Sequence, residues 1–405
     1  MLDTMKQVQQ SAVTLKVTAA SNGQAFVVAS TLFGGEAFHD ALHAYKQIAR
    51  LLRAQGMAII HERIFGSLSA EAEVMAARGE ALDDEQILTH GPVTYVQGNP
   101  VWGEGFTGAI IHVVSPGETD SVWTIMDGDL PCGRGWKHNG CTFLVLQNIN
   151  GNYDRARDNG AKSHQTRRML ERAERILREQ GCSYRDVVRT WFYLSDILDW
   201  YAAFNKVRNE KYGEFGIMPG PGDRDLLLPA STGISGDSSS GAAAFMDLIA
   251  VKGESDYRPA VKRLTSTAQL DAFRYGSAFS RVAVIETPDV SLIEISGTAA
   301  IDERGKSQFV DDIRGQIECT LGKIERLLNT EGAELKDIAA ATVFVKRPEY
   351  AGIFWEMARE RGLEDFPAVC IVADVCRDEL LFEIDAEAAV NKKGSKIKGF
   401  EGPRE

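Results

Sequence analysis

Residues 366–390, FPAVCIVADVCRDELLFEIDAEAAV, read as two strands joined by a tight turn at Arg377-Asp378-Glu379. Successive side chains of a strand point to opposite faces, so the second strand sets Glu383, Asp385 and Glu387 on one face and Phe382, Ile384 and Ala386 on the other. If the acidic face looks inward, desolvation and like charge raise its carboxyl pKa values. Glu383 then becomes an acid or base usable near neutral pH. If it looks outward, the three acids are merely solvated. Asp385 and Glu387 read as structural or solvent-facing residues.

Other groups able to do chemistry are sparse. The seven histidines (His39, His43, His61, His90, His112, His138 and His164) all lie in the first 164 residues, so the rest of the chain has no imidazole of its own. His39 and His43 have the i, i+4 spacing of a helical zinc pair, but no cysteine or carboxylate pattern completes a site; a solvated helix face is the better reading, and no metal is expected. The six cysteines form no CxxC pair and read as reduced thiols in a cytoplasmic protein. Cys370 reads as a small buried hydrophobe. Gly133, Gly135 and the NING run at 148–151 are too loosely spaced for a phosphate loop, and no cofactor is expected.

The elements that must position Glu383 come in three copies. IARLLRAQGMAIIHERIFGSLS (48–69), ERILREQGCSYRDVVRTWFYLSD (174–196) and ERLLNTEGAELKDIAAATVFVKR (325–347) each end an amphipathic helix, stop at a glycine (Gly56, Gly181, Gly332) and enter a strand. Two strand-like runs precede each helix: VTLKVTA and QAFVVAS, SVWTIMDG and CTFLVLQNI, RVAVIET and VSLIEISGTAA. A second helix and a closing hairpin follow each central strand. The fold class is therefore α+β, with three tandem ββαβαββ modules at 1–118, 119–256 and 257–392 and a basic tail at 393–405. Each sheet has one face covered by its own helices, and the other faces can cover one another in an intrachain trimer. In VVRTWFYL, Val188, Thr190, Phe192 and Leu194 suit the helix side, while Arg189, Trp191 and Tyr193 suit the inter-module side. Arg63, Phe65 and Ser67 echo that inner face in module one; Ala340, Thr342 and Phe344 replace it in module three. The clefts between modules are thus not equivalent.

Bulk composition narrows the partners. A net charge of −12 and a pI near 5.2 argue against nucleic acid, which needs clustered Lys and Arg. No run approaches the roughly 18 apolar residues of a membrane span, and MLDTMKQVQQ has no signal pattern.

The ββαβαββ unit, YGSAFSR…ISGTAAID (275–302), the helix containing Gln316 and the FPA…FEIDA hairpin resemble the Rid family, formerly called YjgF or endoribonuclease L-PSP, whose fold is chorismate-mutase-like. FNKVRNEKYGEF and LPASTGIS extend the resemblance into module two. Usual members are homotrimers of one unit, and this chain looks like that trimer written as one polypeptide, with a higher oligomer also compatible. AFSR, ISGTA and ADVCRDELLFEI are similar to the chorismatase branch. The resemblance implies a cleft between modules in which a glutamate on the last strand holds or activates water, and Glu383 falls on that position. It also implies an arginine just after the hairpin Pro-Ala, but Ser231 stands there in module two and Ala368 or Val369 in module three.

A carboxylate clamp must then come from another residue. Arg281 follows Tyr275, Ser277 and Phe279 at a strand entrance and suits either a carboxylate or a surface ion pair. Arg377 in the hairpin turn suits a structural role or the clamp. Arg189, beside Trp191 and Tyr193, suits an aromatic-walled anion pocket or a stacked interface. Tyr275 resembles a family pocket tyrosine, and Thr298 in the SGT run offers backbone donors. The resulting expectation is a cofactor-independent hydrolase of a small carboxylated metabolite. Its reaction is either enamine or imine deamination or chorismatase-type enol-ether hydrolysis. The alternative is a binding or regulatory protein that has kept the cleft and lost the chemistry.

Overall fold

The computed structural model describes residues 13–21, 23–87, 91–115, 122–152, 161–219, 227–253, 260–264 and 278–392. Tyr275, the expected linkers around 118 and 256, and the basic tail lie outside the described residues.

Module one runs β1 (Thr14–Ser21), β2 (Gln24–Ser30), α1 (Ala37–Gln55), β3 (Ala58–Gly66), α2 (Glu71–Asp84), β4 (Thr94–Gln97) and β5 (Phe106–Val114). Module two runs β6 (Val122–Asp127), β7 (Leu130–His138), β8 (Cys141–Asn150), α3 (Lys162–Glu179), β9 (Val187–Leu194), α4 (Ile197–Glu214), β10 (Ala230–Ser235) and β11 (Ala244–Gly253). Module three runs β12 (Ala260–Leu264), β13 (Val282–Glu286), β14 (Val290–Ala299), α5 (Ile313–Asn329), β15 (Ile338–Val345), α6 (Pro348–Glu360), β16 (Ala368–Val372) and β17 (Phe382–Asn391). The first helix of each unit ends as its sequence requires: Gly56, Gly181 and Gly332 have φ of 61, 74 and 71°, a left-handed conformation that a residue without Cβ takes at no steric cost.

The sheets are ordered β1-β2-β5-β3-β4, β6-β7-β8-β11-β9-β10 and β12-β13-β14-β17-β15-β16. In each, the last strand of the module (β5, β11, β17) lies in the interior, antiparallel to its neighbours, while β4, β10 and β16 run parallel to β3, β9 and β15 at an edge. The ββαβαββ expectation holds in module one. Modules two and three each carry one more leading strand. In module two the unforeseen strand is β7, whose Pro131, Gly133 and Gly135 hide its strand character. The missing side chains are a packing device: a Cβ on Gly135 would stand 2.3 Å from the Trp123 indole, and one on Gly133 2.4 Å from the Val145 carbonyl.

The expected closure is present. One apolar cluster draws on Phe26, Phe65 and Ile110 of module one, Trp136, Trp191 and Phe245 of module two, and Ile285, Phe344 and Ile371 of module three. Three further clusters lie between each sheet and its own helices. The modules thus pack inner face to inner face, burying surface no single unit could bury alone. The alternation expected along β9 holds from Arg189 onward, with Phe192 and Leu194 on the helix side and Trp191 and Tyr193 inside. Val188 departs from it: an irregularity opposite Ile249 and Ala250 pairs those residues with Arg189 and Val187, which turns Val188 inward. His39 and His43 lie on an exposed face of α1, hydrogen-bonded to Glu36 and Gln47. No described helix is long and apolar enough to cross a membrane.

Candidate active site

The acidic face of β17 looks inward along its whole length, and its three carboxylates meet three different surroundings. Glu387 meets module one, where its Oε1 accepts from Arg63 Nη2 at 2.5 Å. Asp385 Oδ2 lies 3.3 Å from Arg189 Nη2 of module two. Arg189 Nε also lies 3.6 Å from Glu294 Oε2 on β14. The Trp191 ring is flanked by both guanidinium groups, 4.4 Å from Arg63 and 4.2 Å from Arg189. Burial and neighbouring carboxylates push Glu294 above the ordinary carboxyl range, and burial does the same to Glu387. This charged axis is enclosed by protein. Arg189 and Tyr193, expected to bind substrate, belong to it: they are 0% and 1% exposed and do not line the cleft that Glu383 faces.

Glu383, at the other end of the face, opens on a narrow cleft between modules two and three. Module two supplies Tyr201 and Arg208 from α4 and Ser231 and Gly233 from β10. Module three supplies Phe279, Arg281, Gly297, Ala299, Ile301, Cys376, Arg377 and Glu383. Hydrogen bonds tie the seam: Ser280 N donates to the Pro229 carbonyl at 2.9 Å, and Gly297 N to the Thr232 hydroxyl at 3.1 Å. Thr232 Oγ1 also accepts from Arg189 Nη2 at 2.8 Å, so the axis and the cleft share a hydroxyl.

Burial raises the Glu383 carboxyl to about 8; Asp385 adds to the rise, and Arg281 and Arg189 oppose it. The carboxylate fits because residue 297 is glycine: a Cβ there would lie 2.2 Å from Glu383 Oε1. Arg281 lines the cleft with its guanidinium 4.8 Å from the Phe279 ring. Arg377 lines it too and donates to the Gly305 carbonyl at 2.6 Å, so the turn position is at once structural and within the cleft. Thr298 does not line it. Its hydroxyl donates to the Ser296 carbonyl at 2.9 Å, while the flanking Gly297 and Ala299 form the wall. The thiols of Cys370 and Cys376 are both pushed up to about 12 by burial, the state of inert cysteines.

The reading of the sequence missed Tyr201 and Arg208. With Asn205 they recur at i, i+4 and i+7 along α4, a polar stripe at the spacing of one helix face. That stripe was the available signal, masked by the apolar residues Phe204 and Val207 that share the helix.

Strand register shows why one cleft differs from the other two. Glu383 pairs with Phe344, one residue before the strand end that pairs Val345 with Val372. The same place in module two pairs Phe245 with Tyr193, and in module one Gly108 with Phe65. The Phe245 ring stacks on Tyr193 at 5.0 Å. Around Gly108 the space is filled: a Cβ would lie 2.4 Å from the Ala29 carbonyl and 2.8 Å from Val369 Cγ2. Of the three equivalent positions, only the one in module three holds a carboxylate.

Comparison with known proteins agrees with this architecture. The sequence profile of the family described as Endoribonuclease L-PSP matches residues 151–218 and 272–390. A RutC family protein of Pyrococcus abyssi is 42% identical over 55 residues, which are 14% of this chain and 42% of that protein. A chorismatase crystal structure superposes with a TM-score of 0.59 at 20% identity, covering 82% of this chain and 92% of that one, and so shares the fold. A putative endoribonuclease of Thermotoga maritima matches at 24% identity over 33% of this chain and 99% of its own, with a TM-score of 0.26.

Proposed function

Residues 151–218 and 272–390 match the endoribonuclease L-PSP (Rid) family, and from that premise we propose that the chain is a cofactor-independent hydrolase of a small carboxylated metabolite. The reaction takes place in the cleft between those modules, with Glu383 as acid and base. The observation that carries this reading is a buried carboxyl, raised to about 8, at the wall of a cleft that also holds Arg281 and Arg377.

The two candidate reactions share one chemistry. A 2-aminoacrylate and an enolpyruvyl ether are both acrylates substituted at C2. The Glu383 carboxylic acid gives its proton to the terminal methylene, leaving an iminium or oxocarbenium ion at C2. Water adds to C2 while the Glu383 carboxylate takes one of its protons, restoring the acid. Collapse of the adduct breaks the C2–N or C2–O bond and yields a 2-keto acid with ammonia or an alcohol. A pKa near the working pH suits a group that must both donate and accept. An RNA substrate fits poorly with a net charge of −12.

Incubation with chorismate, following pyruvate, and with 2-aminoacrylate, following ammonia, separates the two reactions. Glu383→Gln is expected to lower whichever activity is found by about 10²–10⁴-fold, the usual contribution of a general acid or base. Unchanged turnover in that variant would overturn the assignment.

One observation favours a second reading, a binding protein without turnover: Ser231, and Ala368 or Val369, stand where family members carry the clamp arginine. Its signature is a small acidic ligand that binds and is recovered unaltered.

A further inference from the structure

Most deeply buried arginines of this protein have an evident acceptor. Arg63 meets Glu387, Arg78 meets Glu62, and Arg189 meets Asp385 and Glu294. Arg134 donates to the Pro92 carbonyl at 3.2 Å. Arg208 breaks the pattern. It is 1% exposed, and its Nε and Nη2 have no hydrogen-bond partner among the described residues. Around it stand the rings of Phe204, Phe192 and Phe279, at 5.6, 5.8 and 5.9 Å from the guanidinium carbon, too far for close stacking. An arginine keeps its charge at any physiological pH, and a buried charge without a counterion is strongly unfavourable. The fold holds Arg208 in that condition at the wall of the cleft that Glu383 faces.

We propose that Arg208 is the guanidinium that receives the carboxylate of the substrate, a small flat unsaturated acid. The inference rests on the hydrolase reading of the cleft and deepens it by naming the clamp. Nε and Nη2 lie on one edge of the guanidinium, the edge that takes a carboxylate through two parallel bonds. Ser231, at the usual clamp position, leaves room for an anion reached from α4 instead. The walls argue for a flat ligand: Tyr201 and Phe279 present rings, and Gly233 and Gly297 present no side chains. A Cβ on Gly233 would lie 3.3 Å from the Tyr201 ring. A carboxylate on Arg208 points the rest of such a molecule toward Glu383 across the same cleft.

The test reads binding without turnover, using benzoate as probe and benzamide as its uncharged counterpart on the full chain. Benzoate is expected to raise the Tm of the wild type and benzamide to leave it unchanged. Arg208→Gln and Arg208→Lys should each weaken benzoate at least tenfold by calorimetry, while Glu383→Gln and Arg377→Gln retain it. Arg208→Met should raise the ligand-free Tm, because it removes an unpaired buried charge; a merely structural arginine would lower it. The proposal is overturned if benzoate fails to bind the wild type at millimolar concentration, binds no better than benzamide, or binds Arg208→Gln as tightly as the wild type. It is equally overturned if Arg208→Met is less stable than the wild type. Retained binding in Arg208→Gln with lost turnover in Glu383→Gln sinks the clamp alone. Lost binding in Arg208→Gln with unchanged turnover in Glu383→Gln sinks the catalytic assignment alone.

Discussion

Asp385, two residues from Glu383 on the same face of β17, is held by a residue of another module: its Oδ2 lies 3.3 Å from Arg189 Nη2, and both side chains are out of solvent. That pair ties the middle of the acidic face to module two and leaves Glu383 at its end to the cleft. Asp385 also contributes to the rise in the Glu383 pKa, so the axis and the cleft are electrically linked.

Removing the arginine of this pair should cost stability out of proportion to the change in volume. Arg189→Met leaves Asp385 and Glu294 buried opposite an apolar side chain. We expect a loss of about 3–5 kcal/mol in urea unfolding, the usual cost of stripping one partner from a buried pair. A loss below about 1 kcal/mol would mean that the remaining acids are neutralised by proton uptake alone.

Gly297→Ala separates function from folding. The added Cβ would lie 2.2 Å from Glu383 Oε1, and the carboxylate is the mobile partner in that clash. The expected result is at least a tenfold fall in kcat with little change in Tm. A variant with full activity would show that Glu383 works from a different rotamer than the one seen.

Stability should fall as pH rises through the range set by Glu383. Its carboxyl is raised from 4.5 to about 8 in the folded chain, so between those values the folded state binds more protons than the unfolded state. Each step up in pH across that window therefore favours unfolding, and the effect levels off above it. Glu294, raised by burial and its carboxylate neighbours, works in the same direction. Denaturant midpoints should fall between pH 6.5 and 8, where the buried His61 and His112 are already neutral in both states, and the slope should flatten in Glu383→Gln and in Glu294→Gln. A rising midpoint would contradict the burial of these acids.

Turnover should follow the protonated form of Glu383 if proton donation to carbon limits the rate. The profile of kcat should then decline above pH 8 and hold steady below it until other groups titrate. A rate that climbs through pH 8 would assign Glu383 as base alone.

The three helix-stop glycines, the strands common to all three units and the alternation of Glu383, Asp385 and Glu387 were legible from local spacing, because helix ends and strand faces are set by near neighbours in the chain; β7 and β12 were not. The same spacing could not sort the arginines. Arg189 beside Trp191 and Tyr193 reads equally as an anion pocket or as a packed interface, and the deciding partners are Asp385 and Glu294 of module three. Arg208 shows the converse: its spacing on α4 does not mark it as buried, and it is enclosed by Phe192 and Phe204 of its own module together with Phe279 of the next.

The sequence alone determined a threefold repeated unit, an acidic strand face and a resemblance to the Rid family, because each is written in residues that act within one strand or helix. Only the tertiary structure decided which carboxylate faces the cleft. Glu387 and Asp385 are neutralised by Arg63 and Arg189, residues from the other two modules, and the first of these pairs spans 324 positions. The cost of burying a charge depends on what else is buried beside it, and that is settled only when distant parts of the chain meet.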